Sequence, residues 1–159
     1  MNEERERAAN AKALSNIEQY GCHVIHVAGE GELPPFSYSV GIQRTSAVPE
    51  IVVIGLKQPI SHFAVNEYNR RVRDGERFSH DQSASGFLEG FDVLFLNVGR
   101  IHYRDYFGWN RWLYKGDNFE VLQLVWPSTK GVWPWQPEAF DGFDKWQPIL
   151  STLPDLSCH

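Results

Sequence analysis

The chain has 159 residues, of which 42% are hydrophobic and 22% charged, a composition typical of one globular domain. Its formal net charge of −5 argues against a broad phosphate-binding surface, so we do not expect nucleic acid as a partner. No apolar run reaches the roughly 20 residues of a membrane helix, and the N-terminus has no signal-peptide core. We therefore predict a single cytoplasmic domain over residues 1–159, frayed at 1–8 and 148–159.

A helix is predicted first, over residues 3–20, from a narrow apolar stripe at helical spacing. A short strand follows at 23–27, and its two histidines, His23 and His26, point to opposite faces. This alternation argues against a paired metal site there, and the sequence predicts no metal site elsewhere.

Residues 36–42 alternate apolar with small polar side chains, which is the period of a half-buried strand. Ser37, Ser39 and Gly41 are expected to face outward and to leave a shallow strip against which a ligand could lie. The run 51–55 (IVVIG) is apolar on both faces and predicts a central strand.

A second helix is predicted over 56–74, and His62 points away from its apolar stripe, which indicates a solvated side chain. The polar segment 76–86 is interpreted as a surface loop or sheet edge. Residues 87–98 are interpreted as a strand pair, or as one strand with a bulge at Gly90.

Residues 105–114 fit a third helix with Asp105 as its N-cap. The strand predicted at 119–126 is apolar on both faces and is therefore expected to be central, and 128–159 is expected to be irregular cover. The late tryptophans are interpreted as covering the core rather than as sugar-stacking platforms: Trp126, Trp133, Trp135 and Trp146.

Together these elements predict an α+β domain with a mainly antiparallel sheet of five or six strands that could curl into a closed or split barrel. An N-terminal helix and two further helices would accompany the sheet.

The densest group of hydrogen-bonding aromatic and charged side chains lies in the stretch 101–134. The candidate ligand-binding residues are those of this corner together with the serine strip: His102, Tyr103, Arg104, Asp105, Tyr106, Trp109, Arg111, Ser37 and Ser39. Four cations between residues 100 and 115 stand against the single acid of that segment, Asp105, which favours a local anion site: Arg100, Arg104, Arg111 and Lys115. The alternative is a structural anchor, in which a Tyr hydroxyl or His ring bonded to a carboxylate locks the corner.

Cys22 and Cys158 are the only cysteines, one after the first helix and one next to last, so no structural disulfide is predicted. Cys22 lies between a helix stop and a predicted buried strand. It is interpreted as a small buried apolar residue rather than a nucleophile.

Five segments carry a resemblance to a known family: FSYSVGI, PEIVVIGL, HYRDYFGWNRWLY, FEVLQLVWP and GVWPW. They resemble the hallmarks of the bacterial domain-of-unknown-function family 4262, over about residues 20–135. The resemblance implies a small, soluble, usually bacterial protein and implies no activity. Family members tend to carry an acid after the Trp-Pro pair, where this chain has Ser128.

We expect the function to be binding of a small anionic ligand or a protein partner at the corner 102–106. In element order the chain is also similar to FMN-binding split barrels of the flavin reductase type, which makes an FMN-dependent oxidoreductase the alternative. That similarity implies a flavin phosphate held by the following residues: Ser39, Thr45 and Ser46, with Arg44 beside them. A third possibility is a toxin-neutralising protein-binding module, which the small size and acidic charge permit.

Overall fold

The computed structural model describes residues 2–151; Met1 and residues 152–159, which include Cys158 and most of the predicted frayed end, lie outside this range. The strands are β1 (His23–Val27), β2 (Phe36–Val40), β3 (Glu50–Ile54), β4 (Gln82–Leu88), β5 (Phe91–Asn97) and β6 (Val121–Val125). The helices are α1 (Asn2–Tyr20), α2 (Ile42–Ser46), α3 (Gln58–Arg73), α4 (Tyr103–Tyr106), α5 (Gly108–Tyr114) and α6 (Phe143–Trp146).

The strands form one open mixed sheet in the order β1-β2-β3-β6-β5-β4, with β1 and β4 at its edges. All neighbours pair antiparallel except β3 and β6, which are parallel. The predicted α+β class and the mainly antiparallel sheet of five or six strands are confirmed, with six strands, and the sheet is open rather than closed into the barrel that the sequence allowed. Two parallel strands need a long crossover connection between them. Here the connection from β3 to β6 contains α3 and the β4–β5 hairpin, and β4 lies at the edge of the sheet opposite β1.

The predicted first and second helices are confirmed as α1 and α3, whereas the third differs. It is divided into α4 and α5 at Phe107, whose backbone at φ −119° and ψ 47° is not helical. Asp105 lies inside α4, and neither helix has a side-chain cap, so the predicted N-cap is wrong. The short α2 and α6 have too few residues to show a periodic pattern. None of the helices in residues 2–151 has the length and hydrophobicity needed to span a membrane.

Two layers cover the sheet, one on each face. On one face lies α3, where Ala64 and Tyr68 are fully buried against β3, β5 and β6. On the other face lie α4 and α5, and the irregular segment 128–150 covers the remainder. Trp133 and Trp135 of that segment pack on Leu94, Leu96 and Val125, which confirms their interpretation as core cover.

The strand β6 is central, as predicted, because all five of its residues are buried between β3 and β5. Leu122 and Leu124 face α3, in the alternation expected from the sequence. Gln123 points to the other face, where it is fully buried. Its side-chain amide donates to Pro148 O at 2.8 Å and its carbonyl oxygen accepts from Leu150 N at 2.9 Å. This pair of bonds holds the cover segment on the sheet.

The outward-facing serine strip of β2 is not present. Ser37 and Ser39 are only 3% and 0% exposed, because both faces of β2 are covered. Each hydroxyl has a partner inside the protein: His26 for Ser37 and Glu50 for Ser39. Small polar side chains that alternate with apolar ones can therefore be buried when an internal partner is available.

The segment interpreted as a polar loop or edge forms most of the edge strand β4. The predicted strand pair is the β4–β5 hairpin, which turns at Glu89 and Gly90. Gly90 has φ +82°, a conformation that glycine adopts without strain. The expected bulge lies instead between Ala84 and Leu88.

Cys22 is 4% exposed, and burial raises the pKa of its thiol to about 12. At pH 8 the folded Cys158→Ser variant should therefore react with Ellman's reagent about 10³-fold more slowly than an ordinary thiol, since the thiolate is the nucleophile. Absorbance at 412 nm measures the rate. The same variant in guanidinium chloride is the control and should react stoichiometrically. Labelling of the folded protein at the rate of the unfolded control would contradict this prediction.

Candidate functional site

A crevice opens at the carboxyl ends of the two parallel strands. From β3 the chain passes through Gly55 and Leu56 to α3 on one face of the sheet. From β6 it passes through Trp126 and Pro127 to the cover segment on the opposite face. Where adjacent parallel strands send their connections to opposite faces, a crevice is left outside their carboxyl ends, and ligands of open sheets commonly bind there.

The crevice has a volume of about 700 Å³ and a mostly apolar lining. Its walls come from the start of α3, the β4–β5 hairpin and the end of β6: Leu56, Pro59, Ile60, Phe63, Gly86, Phe87, Leu88, Glu89, Phe91, Trp126, Pro127 and Thr129. Ile60 and Phe63 remain 42% and 55% exposed, although the sequence pattern places Ile60 in the buried stripe of the helix. Two large apolar side chains are thus presented to solvent beside an apolar cavity.

The floor of the crevice is held in position by hydrogen bonds. Trp126 donates its indole N–H to Ile54 O at 2.7 Å, and its backbone exchanges bonds of 2.9 and 2.8 Å with the side chain of Gln147. Phe87 is 1% exposed and stacks edge-on against Phe95. The floor is therefore formed by the buried Phe87 and the half-buried Trp126, and the exposed rim includes Ile60 and Phe63.

The lining of the crevice carries few polar side chains. Glu89 is the one ionisable side chain among its lining residues, and Thr129 supplies a hydroxyl. A catalytic site would bring together a nucleophile or a proton-transfer pair, and this lining contains no histidine, cysteine or lysine.

The residues of the corner 102–106, predicted from the sequence as a binding site, mainly pack against other aromatic side chains. Tyr103 is 1% exposed, donates its hydroxyl to Phe119 O at 3.0 Å and stacks on that ring at 4.6 Å. Tyr106 packs edge-on against Phe36, and His102 lies beside Tyr106. These contacts agree with the structural-anchor alternative, although the anchoring partner is a backbone carbonyl rather than Asp105.

Two of the four cations, Arg100 and Arg111, are engaged in ion pairs. Arg111 pairs with Asp117 at 2.8 Å and Arg100 with Glu120 at 3.4 Å. Arg104 is exposed and forms no ion pair with another residue in the range 2–151. The predicted anion site therefore rests on Arg104, and ligand binding at this corner stays a prediction.

Trp109 borders a different, smaller cavity of about 430 Å³ between α1 and α5. Its ring lies 5.5 Å from Trp112 and 6.0 Å from His23, and its backbone N–H donates to the Tyr38 hydroxyl at 3.2 Å. Trp109 thus faces away from the apolar crevice and joins α5 to β1 and β2.

Glu50, at the start of β3, is fully buried and is not among the residues predicted from the sequence. Its oxygens accept five hydrogen bonds, from the Ser39 and Tyr114 hydroxyls and from three successive backbone N–H groups: Gly41 at 3.1 Å, Ile42 at 3.0 Å and Gln43 at 3.1 Å. Both hydroxyls also accept a backbone N–H, from Ile51 and Arg44, which leaves their protons for Glu50. An acid directly before an apolar strand was the available signal.

Burial raises the pKa of Glu50, and the hydrogen bonds from Tyr114, Ser39 and the α2 backbone oppose that rise. The side chain lies against the first turn of α2, where backbone N–H groups favour negative charge. Glu50 lines neither the crevice nor the cavity beside Trp109. Glu50 therefore has a structural role, because its hydrogen bonds connect β3 with α2 and α5.

Two of the positions assigned to a flavin phosphate make internal contacts. Ser39 donates to the Glu50 side chain, and Thr45 donates to Gly21 O at 2.8 Å. With these contacts and an open sheet rather than a barrel, the fold gives the flavin alternative less support than the element order did.

The comparisons with known proteins identify a family. A model of the domain of unknown function DUF4262 matches residues 16–140, which include all six strands and the Trp126 floor of the crevice. No curated protein and no solved structure matches the chain. The family match covers well over half of the chain, and the protein therefore belongs to the DUF4262 family.

Proposed function

We propose that the protein is a small-molecule-binding domain that holds an apolar or amphiphilic ligand in the crevice at the ends of β3 and β6. The observation that carries the proposal is the pair of exposed apolar side chains, Ile60 and Phe63, beside a cavity of about 700 Å³ at a change of connection direction. Binding sites for drug-sized molecules have volumes of about 300–1,000 Å³ and mostly apolar walls.

The lining indicates how such a ligand would be oriented. Its apolar part would cover Phe63 and Trp126, and its polar end would lie toward Glu89 and Thr129. Since Glu89 carries the only charge of the lining, a cationic or neutral polar end is favoured over an anionic one. The proposed ligand is therefore an amphiphile with a cationic or hydroxyl head.

The second candidate is an anionic ligand at the corner 102–106, which the exposed Arg104 favours. It has less support, because Tyr103 is buried and Arg111 is paired with Asp117. A protein partner that covers Ile60 and Phe63 is a further outcome that the binding experiment below would expose.

Three probes with an eight-carbon chain test the crevice: octylamine, octanol and octanoate. At roughly −0.5 kcal/mol per heavy atom, nine-atom octylamine should bind with a Kd on the order of 0.5 mM. We expect octylamine to bind more tightly than octanol, and octanol more tightly than octanoate. Amide shifts in ¹H–¹⁵N spectra would give each Kd and should be largest around Phe63, Leu88 and Trp126.

Phe63→Asp should weaken octanol binding by about tenfold or more, because it places a charge in the apolar wall and the neutral probe gains no attraction to that charge. Ile101→Asp is the matched control: Ile101 is 79% exposed and is not part of the crevice lining. Shifts confined to the Arg104 corner, and strongest for octanoate, would favour the second candidate. Unshifted crevice amides at 2 mM of every probe would refute the crevice, and self-association abolished by Phe63→Asp would instead indicate a protein interface.

A further inference from the structure

Two histidines that the sequence does not connect meet beside the edge strand β1. His26 on β1 and His62 on α3 are separated by 36 residues, and their ring nitrogens Nε2 and Nδ1 lie 2.9 Å apart. The ring centroids are 5.1 Å apart. His62 is exposed, as the sequence predicted, yet its ring is bonded to His26 rather than only to water.

A third side chain orients the pair from inside the protein. The hydroxyl of Ser37, which is 3% exposed, lies 2.6 Å from His26 Nδ1. In the tautomer with the proton on Nδ1, His26 donates to Ser37 and turns its bare Nε2 toward His62. Metal-binding histidines are oriented in this way, with the second ring N–H donated to a fixed oxygen acceptor.

We propose that His26 and His62 bind a divalent transition-metal ion of the zinc class through Nε2 and Nδ1, with water completing the coordination. Two histidines on a tetrahedral zinc ion have nitrogens about 3.3 Å apart and ring centroids about 5.2 Å apart. The centroids here already have that spacing. In the hydrogen bond between the rings, His62 Nδ1–H is the donor to the bare His26 Nε2, so binding requires His62 to adopt the tautomer protonated on Nε2, which frees Nδ1 for the ion. The rings must also tilt, and the nitrogens must separate by a few tenths of an ångström.

The site is open, which sets its chemistry. Residues 2–151 contain no group of three His, Cys, Asp or Glu side chains that could hold an ion, so the protein supplies two ligands. Imidazole nitrogens suit zinc and copper and do not suit magnesium or calcium. Affinity should therefore follow the order Cu²⁺ above Zn²⁺, with no competition from Mg²⁺.

The experiment uses the full chain with Cys158→Ser and His159→Gln, because a terminal cysteine and histidine could bind the ion themselves. Isothermal titration with ZnCl₂ should show one ion per chain. His62→Gln and His26→Gln should each reduce affinity more than tenfold. Ser37→Ala should reduce it by about tenfold through the loss of the orienting bond. Cu²⁺ serves as a spectroscopic probe, and its electron paramagnetic resonance should show two coordinated nitrogens, falling to one in His62→Gln.

His80→Gln is the matched control, since the His80 ring accepts from Asn97 N at 2.9 Å, away from the pair, and its loss should not change Zn²⁺ affinity. Circular dichroism establishes that each variant is folded; His62 is exposed, so its variant keeps the test valid if His26→Gln does not fold. No Zn²⁺ binding at 1 mM overturns the proposal. Equal binding by the His62→Gln variant overturns it as well.

Discussion

Glu50→Gln is expected to lower the free energy of unfolding by about 3–5 kcal/mol, because it leaves buried hydrogen-bond donors without an acceptor. Five donors bind the two carboxylate oxygens of Glu50. A glutamine amide has only one acceptor oxygen, so its NH₂ group would face some of these donors. In either orientation of the amide, the NH₂ group faces at least two donors: those of Ser39 and Ile42 if it replaces Oε1, or those of Gly41, Gln43 and Tyr114 if it replaces Oε2. Urea unfolding followed by circular dichroism gives the change in free energy.

Glu120→Gln is the matched control, since the Glu120 side chain is 64% exposed and pairs with the equally exposed Arg100. Its effect should stay within about 0.5 kcal/mol, the usual range for a surface ion pair. A Glu50→Gln variant as stable as this control would mean that the buried carboxylate does not hold β3, α2 and α5 together. Its donors would then have to be satisfied by water in the folded protein.

Gly41→Ala should lower the free energy of unfolding by about 2–5 kcal/mol, because the position combines backbone strain with a steric clash. Gly41 has φ +105°, and a Cβ added there would lie 2.7 Å from Ile17 Cγ1. Ile17 is 4% exposed in the contact between α1 and the sheet, so it cannot move aside without displacing that helix. The midpoint and slope of urea unfolding measure the effect.

Gly75→Ala separates the two contributions. Gly75 has nearly the same backbone conformation, φ +102°, but no atom lies within 4 Å of an added Cβ. Its cost should therefore be that of the backbone alone, about 1–2 kcal/mol. Equal losses in the two variants would show that Ile17 accommodates the methyl group. The double variant Gly41→Ala/Ile17→Ala should then show no coupling between the positions.

These two predictions concern one structural unit that no local pattern reveals. Gly41 starts α2 and donates its backbone N–H to Glu50, which lies nine residues further along the chain and on another strand. The strand at 51–55 was predicted correctly because its apolar side chains form a continuous run. Nothing in that run specifies that the acid before it turns inward, because the stabilising donors come from Tyr114 and α2.

The two faces of β2 illustrate the same limit. Alternation in FSYSVGI predicted a half-exposed strand, yet Ser37 and Ser39 are buried. A period of two determines which side chains share a face, but it does not determine whether both faces are covered. That depends on neighbours distant in sequence: Asn110, which donates to Ser39 O at 2.9 Å, and Glu50, which binds the Ser39 hydroxyl.

The helix predicted at 105–114 fails for a related reason. Asp105 is a good N-cap residue, and the local pattern favoured a helix start there. The chain instead places the Tyr103 and Phe107 side chains in the core beside Phe119. The non-helical backbone at Phe107 allows both side chains to be buried there. Burial of large aromatic rings outweighs a single cap, which contributes about 1 kcal/mol.

The sequence by itself determined the class, the family, the long helices and the two central strands, because each depends on patterns within a few residues or along one segment. The tertiary structure decided the candidate sites. The crevice exists because β3 and β6 run parallel and their connections leave to opposite faces, bringing Phe63 beside Trp126. His26 meets His62 because α3 crosses the sheet beside β1. Such contacts between distant residues follow from the order of the strands and the placement of the helices, and both are set by the burial of apolar side chains over the whole chain.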